Sequence, residues 1–160
     1  MLQFCQWLDQ TALGTAIRQS LWLFPAIETV HLIGMAALVV TITVLDLRLL
    51  GLAARQQSIS KLAARLIPLA WLGFAVQLVT GALLFSSEAV KIYGNPAFRL
   101  KMLLLLLAGG QAFLFQTFVS GKLPAWDERA SMPVTGKLIG LSSILLWAGI
   151  VTAGRFIGFV

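Results

Sequence analysis

The chain has 160 residues, of which 59% are hydrophobic and only 11% are charged, and its mean hydropathy is +0.90. Soluble domains usually carry about 25% charged residues, so polar side chains cannot cover a globular surface here and lipid must be the main solvent. The net charge of +6 comes from 12 basic and 6 acidic residues, and the basic residues stand at the ends of apolar segments, which favours membrane anchoring over nucleic-acid binding.

The first twenty residues mix apolar and polar side chains. Asp9 and Arg18 stand where the apolar region of a signal peptide would run, so none is predicted. The mixture favours an amphipathic helix over residues 1–20 that lies in the membrane interface, and a loop-like N-terminus is the alternative. The single cysteine, Cys5, excludes an internal disulfide and a CxxC site.

Four later segments are apolar enough to cross a membrane, which takes about 20 residues. They cover residues 21–50, 63–85, 98–119 and 138–160. Short polar connections make consecutive spans antiparallel. The sequence therefore predicts an all-α membrane protein: one integral domain over residues 1–160, folded as an antiparallel bundle of four transmembrane helices behind the N-terminal interfacial helix.

Loop charge predicts the orientation of the bundle, because cytoplasmic loops carry more lysine and arginine. If both termini lie outside, seven basic residues face the cytoplasm and five face outward. The distribution therefore favours termini on the outer side. The inner set is Arg48, Arg55, Lys61, Arg65, Lys122, Arg129 and Lys137, and the outer set is Arg18, Lys91, Arg99, Lys101 and Arg155.

Ionisable residues inside spans are costly and indicate function by default. Glu28 and His31 stand near the start of the first span, Lys101 near the start of the third and Arg155 near the end of the fourth. Antiparallel order places all four at a similar depth, where Gln77 and Thr80 of the second span can join them. Asp46, at the other end of the first span, is expected at the interface, paired with Arg48 or a basic loop residue.

Glu28, His31 and Met35 share one face of the first span, because residues three, four or seven positions apart lie on the same side of a helix. A carboxylate, an imidazole and a thioether can coordinate a metal or hold a buried cofactor. The alternative is an ion pair from Glu28 to Lys101 or Arg155 that only sets the register of the helices. No pattern typical of a catalytic triad, P-loop or zinc peptidase occurs, so no catalytic residue is predicted.

Three segments carry a resemblance to a known family: "HLIGMAALVVTITVLDLRLLG", "NPAFRLKMLLLLLAG" and "GRFIGF". With the pattern from Trp71 to Phe85, the chain resembles the DUF6644 type of small bacterial inner-membrane protein. It is more remotely similar to the CopD copper-resistance membrane domain and to HemJ-type protoporphyrinogen oxidase, which binds haem b. In those families a histidine of the first span and a lysine of the third are functional, which implies roles for His31 and Lys101.

Three functional hypotheses follow, and the sequence does not decide whether the chain is an enzyme. In the first, His31 ligates haem b, Lys101 and Arg155 pair with propionates, and Glu28 orients the group, as part of envelope redox or metal homeostasis. In the second, Glu28, His31 and Met35 bind copper. In the third, the chain is an accessory subunit of a membrane complex, a homo-oligomer or a partner of an envelope redox protein, and the polar cluster only fixes the helices.

Overall fold

A computed structural model describes residues 2–54, 56–128 and 131–159. Four of its helices are long and apolar enough to cross a membrane. They are α3 (Leu23–Leu50), α4 (Ile59–Ser87), α6 (Pro96–Leu114) and α8 (Val134–Phe156), and the span that begins with α6 continues as helix to Asp127. The predicted all-α bundle of four spans is confirmed, although the second and fourth helices begin four residues earlier than the sequence suggested.

Short helices occupy the segments that the sequence predicted as interfacial or as loops. The N-terminus forms two helices, α1 (Leu2–Asp9) and α2 (Ala12–Gln19), rather than one. A helix α5 (Ala89–Gly94) connects α4 to α6, and α7 (Leu123–Asp127) precedes α8. Between α6 and α7 the chain runs through a π-helix (Phe115–Val119) and a turn of 3-10 helix (Ser120–Lys122).

The helix ends have local causes. The side chain of Asn95 accepts hydrogen bonds from the backbone of Ala97 and Phe98, and Pro96 takes the first helical position of α6, where its missing N–H costs nothing. At the C-terminus of α3, Gly51 adopts a left-handed φ of 73°, which glycine tolerates without steric penalty. These caps fix where the chain turns back across the bundle.

The order of packing leaves one side of the bundle open. Helix α3 packs against α4 on one side and α8 on the other, and α6 packs against α8. Helices α4 and α6 have no extensive contact with each other. The start of α3 and α6 and the end of α4 and α8 form what we name the His31 end, and the opposite end is the Asp46 end.

A buried cluster closes the Asp46 end. It contains Leu49, Ile59, Ala63, Leu123 and Trp126. Only 8% of Trp126 is exposed, because α7 folds back onto α4. Trp7 and Trp22, by contrast, are exposed.

Helices α1 and α2 cover the His31 end of α4 and α5. Arg18 forms an ion pair with Asp9 at 3.2 Å and donates a hydrogen bond to the carbonyl oxygen of Ser87 at 3.0 Å. Asp9 in turn accepts a hydrogen bond from the backbone N–H of Ala89 at 3.1 Å. Leu2, Phe4 and Trp7 remain exposed, as the predicted amphipathic character requires.

Large apolar side chains cover much of the outer surface of the four long helices. In water such a surface would be a strong aggregation hazard, whereas in a bilayer it contacts acyl chains of similar polarity. Together with the four candidate spans, this surface identifies a multi-pass membrane protein. The orientation stays a prediction, and Arg55 and Arg129, two of the residues on which it rests, lie outside the described residues.

Candidate functional site

The imidazole of His31 is tied to α4 through Thr80. Its Nδ1 lies 2.7 Å from Thr80 Oγ1, and the Thr80 hydroxyl donates to the carbonyl oxygen of Val76 at 2.6 Å. A hydroxyl has a single proton to donate. Since that proton is directed to Val76, Thr80 accepts from His31, and Nδ1 carries the imidazole proton. The neutral ring then keeps a free lone pair on Nε2, the tautomer that ligates metal or haem iron.

Small and polar residues bring α3 and α4 close enough for this contact. Gln77 donates a hydrogen bond from Nε2 to the carbonyl oxygen of His31 at 2.6 Å. A Cβ atom at Gly34 would lie only 2.9 Å from that same amide nitrogen, and one at Gly81 would lie 3.4 Å from His31 Cε1. Both glycines therefore make room for the polar side chains. The predicted participation of Gln77 and Thr80 agrees with this geometry.

Lys101 reaches the same layer from α6. It is half-buried, and a Cβ atom at Gly154 of α8 would lie 3.4 Å from its Nζ. The two ion pairs among the described residues are Arg18 with Asp9 and Lys91 with Glu88, so Lys101 has no acidic partner there. An ammonium group without an acidic partner, at the same end of the bundle as a neutral imidazole, is suited to an anionic ligand.

The remaining predicted site residues lie farther from this contact. Glu28 is exposed and forms no ion pair or hydrogen bond within the described residues, so the predicted bridge to Lys101 or Arg155 is absent there. Arg155 is exposed too, and its guanidinium lies 5.2 Å from the centre of the Phe159 ring. Met35 is half-buried, one turn from His31. The structure thus places His31 and Lys101 half-buried at this end of the bundle, and it leaves Glu28 and Arg155 at the surface of the same end.

The donor set favours one imidazole ligand over a multidentate metal site. In the ranges that the structure describes, no group of three or more His, Cys, Asp and Glu side chains could hold a metal ion. A bare metal cation at His31 Nε2 would also be repelled by Lys101. A haem differs in this respect, because its propionates carry negative charge that an adjacent ammonium group can neutralise. Among the described residues this end of the bundle therefore offers one imidazole nitrogen and no cluster of imidazole, thiolate and carboxylate donors.

Asp46 is the polar residue that sequence reasoning misplaced. Only 4% of it is exposed, and Arg48 donates from Nε to the carbonyl oxygen of Gln57 instead of pairing with it. The predicted interfacial pair with Arg48 is therefore wrong. The helical stripe through His31 and Met35 continues at the same spacing to Leu38, Ile42 and Asp46, and this continuation, followed to its end, would have placed Asp46 inside the bundle.

Comparison with known proteins identifies a family but no function. No curated protein and no solved structure matches the chain. The more remote similarity to CopD-type and HemJ-type proteins is not among these findings and stays a prediction. The sequence profile of DUF6644, a family of unknown function, matches residues 4–160, and the chain belongs to this family.

Proposed function

We propose that the protein binds haem b at the His31 end and serves in redox or metal homeostasis of the bacterial inner membrane. His31 would be the iron ligand, through Nε2, and Lys101 would neutralise a propionate. When bound, the haem would supply one-electron redox chemistry. The observation that carries this proposal is the chain of hydrogen bonds from His31 Nδ1 to Thr80 and on to Val76, since it leaves the ligating nitrogen unprotonated.

The surrounding residues have separate tasks in this proposal. Thr80 determines which nitrogen of the His31 ring is protonated and how the ring is oriented, as the hydrogen-bond partners of ligating histidines do in metal proteins. Gln77 fixes the backbone of α3 against α4 at that level. The exposed Arg155 and Glu28 lie at the same end, where Arg155 would meet a second propionate and Glu28 would orient the group or exchange protons. The chain has one histidine, so a second imidazole ligand would have to come from another copy of the chain or from a partner protein.

Titration of purified protein with haemin in nanodiscs tests this assignment. We expect a red-shifted Soret band that saturates near one haem per chain in the wild type. The variant His31→Ala should give only the spectrum of haemin in empty nanodiscs, whereas Glu128→Gln, a change at the opposite end of the bundle, should titrate like the wild type. Equal titration of His31→Ala and wild type would refute ligation by His31.

Copper is the alternative ligand, with Glu28, His31 and Met35 as donors. The one-turn spacing of the half-buried Met35 from His31 favours it, while the charge of Lys101 opposes it. Metal analysis after loading with Cu(I) separates the two ligands. A soft three-donor site should retain copper close to one ion per chain, so less than about one copper per ten chains would exclude it.

A structural role is the second candidate, and the hydrogen bond from Gln77 to the backbone of His31 favours it. In that case the polar cluster would fix the register of α3 and α4 in an accessory subunit or a homo-oligomer. His31→Ala and Thr80→Val would then reduce stability similarly, without any spectral change. The haem proposal instead predicts that His31→Ala removes the Soret band and Thr80→Val retains it.

A further inference from the structure

A second polar site lies at the Asp46 end, away from His31. A cleft of about 160 Å³ opens there between α4 and α6, with α3 and α8 behind it. Its lining is mostly aliphatic and aromatic, and its aromatic residues are Trp71, Phe74, Phe115 and Trp147. Trp71 and Gly109 line the cleft and are also exposed, so the cleft opens toward the bilayer rather than toward water.

Asp46 projects into this cleft from α3. Only 4% of this residue is exposed. Ser143 lines the cleft together with Asp46, but no group among the described residues forms a hydrogen bond with Oδ2. A buried carboxyl oxygen without a donor is costly and rare in a folded protein. A ligand that carries a hydrogen-bond donor would remove this cost.

The walls of the cleft indicate the character of that ligand. Indole and phenyl faces attract organic cations, and an acidic acceptor at the back of an apolar chamber favours an ammonium group over a neutral hydroxyl. The volume is close to that of an engineered cavity of about 150 Å³ that binds benzene. The chamber therefore admits a head group of one ring, and a longer tail would extend between α4 and α6 into lipid.

The backbone beside the cleft is also unusual. A π-helix follows α6 directly, and its residues Phe115 and Gln116 line the cleft. Segments of π-helix are rare in proteins, but those that occur are often found at functional sites, because the wider turn redirects side chains. Gln111 donates its amide to the carbonyl oxygen of Ile139 at 2.9 Å and thereby joins α6 to α8 at the back of the chamber.

We propose that this cleft binds a lipophilic primary amine, with the ammonium group at Asp46 and the apolar body between α4 and α6. Neither the haem proposal nor the copper alternative uses these residues. The ligand enters from the bilayer, since the opposite side of the chamber is closed by the contact of α3 with α8.

Fluorine NMR with 4-fluorobenzylamine tests the proposal, on protein in zwitterionic nanodiscs and against empty nanodiscs. We expect saturable broadening of the amine signal, and weaker broadening of the neutral 4-fluorobenzyl alcohol. Asp46→Asn should weaken amine binding by about tenfold, the scale of a hydrogen bond to a charged group. Glu128→Gln removes the same charge from the exposed surface at this end and should leave binding unchanged.

Two neighbouring glycines supply a test that does not alter Asp46. A Cβ atom at Gly109 or at Gly110 would meet nothing within 4 Å, but only Gly109 lines the cleft. Gly109→Leu should therefore fill the chamber and abolish amine binding, and Gly110→Leu should bind like the wild type. The proposal would be overturned if both leucine variants bound the amine equally well. It would also be overturned if Asp46→Asn changed the binding of neither the amine nor the alcohol. The cleft would then be an apolar crevice for acyl chains. If Asp46→Asn fails to fold, the glycine pair decides alone.

Discussion

His31 and Thr80 join the first and second spans through a hydrogen bond of 2.7 Å between Nδ1 and Oγ1. Thr80 can accept this bond because its own proton is directed to Val76. Residues that are 49 positions apart in sequence thus determine which nitrogen of the single histidine is free. The chemistry proposed for the His31 end depends on this relationship.

Replacement of Thr80 tests the relationship by itself. Thr80→Val keeps the shape of the side chain but removes the acceptor, so the half-buried Nδ1–H loses its partner. We expect a loss of about 1 kcal/mol in the free energy of unfolding, and haem affinity reduced by about 10- to 100-fold. Thr80→Ser keeps the hydroxyl and should restore most of both. Thermal unfolding and haemin titration measure the two effects, and a Thr80→Val variant that matches wild type in both would contradict the assigned tautomer.

The contact between α3 and α8 depends on Gly140. A Cβ atom there would lie 2.8 Å from the backbone oxygen of Asp46, and backbone cannot move aside as a flexible side chain can. Gly140→Ala should therefore lower the unfolding free energy by about 1–3 kcal/mol. Gly110→Ala, where nothing lies within 4 Å of the added atom, should be neutral or slightly stabilising. Thermal unfolding in matched nanodiscs compares them, and equal melting temperatures would argue against close packing at Gly140.

Asp127 caps the N-terminus of α4 from a distant part of the chain. Its Oδ2 accepts hydrogen bonds from the hydroxyls of Ser58 and Ser60 at 2.7 and 2.6 Å, and its carboxylate also accepts from the Ile59 backbone. Removal of such a cap costs about 1 kcal/mol. Asp127→Ala should lower the melting temperature and speed hydrogen exchange at the start of α4, while Glu128→Ala should do neither. Unchanged exchange at residues 59–62 would refute the capping role.

Glu28 distinguishes a ligand-binding role from an assembly role at the His31 end. It is exposed and has no partner among the described residues, so Glu28→Gln should not lower the melting temperature of the isolated chain. If the third hypothesis is correct, this variant should instead weaken a homo-oligomer, which light scattering in detergent detects. An unchanged oligomeric mass together with a weaker haemin titration would place Glu28 at the cofactor.

Much of the fold was predictable because a bilayer restricts a polypeptide so strongly. Apolar length located the four spans, and antiparallel order alone placed His31 and Lys101 at one level. The short helices α5 and α7 were missed, since five or six residues carry too little periodicity to separate a helix from a loop. An added Cβ atom at Gly109 or Gly110 would meet nothing within 4 Å, because α6 turns that side toward the open cleft and the lipid.

The position of Asp46 shows where sequence reasoning was misled. Its closeness to Arg48 favoured an interfacial pair, but residues two apart project to different faces of a helix. The helical stripe from His31 through Met35 reaches Asp46 at the same spacing, and Asp46 lines the cleft. The tautomer of His31 could not be inferred at all, since it depends on where the Thr80 hydroxyl points.

The absorption spectrum of protein purified from haem-replete cells tests the central claim most directly. Wild type should show a Soret band, Thr80→Val should show a weaker one, and His31→Ala should show none while remaining folded by circular dichroism. Thr80→Val breaks the same hydrogen bond as His31→Ala but keeps the Nε2 ligand, so it separates ligation from packing. A folded, colourless wild-type protein would contradict the account.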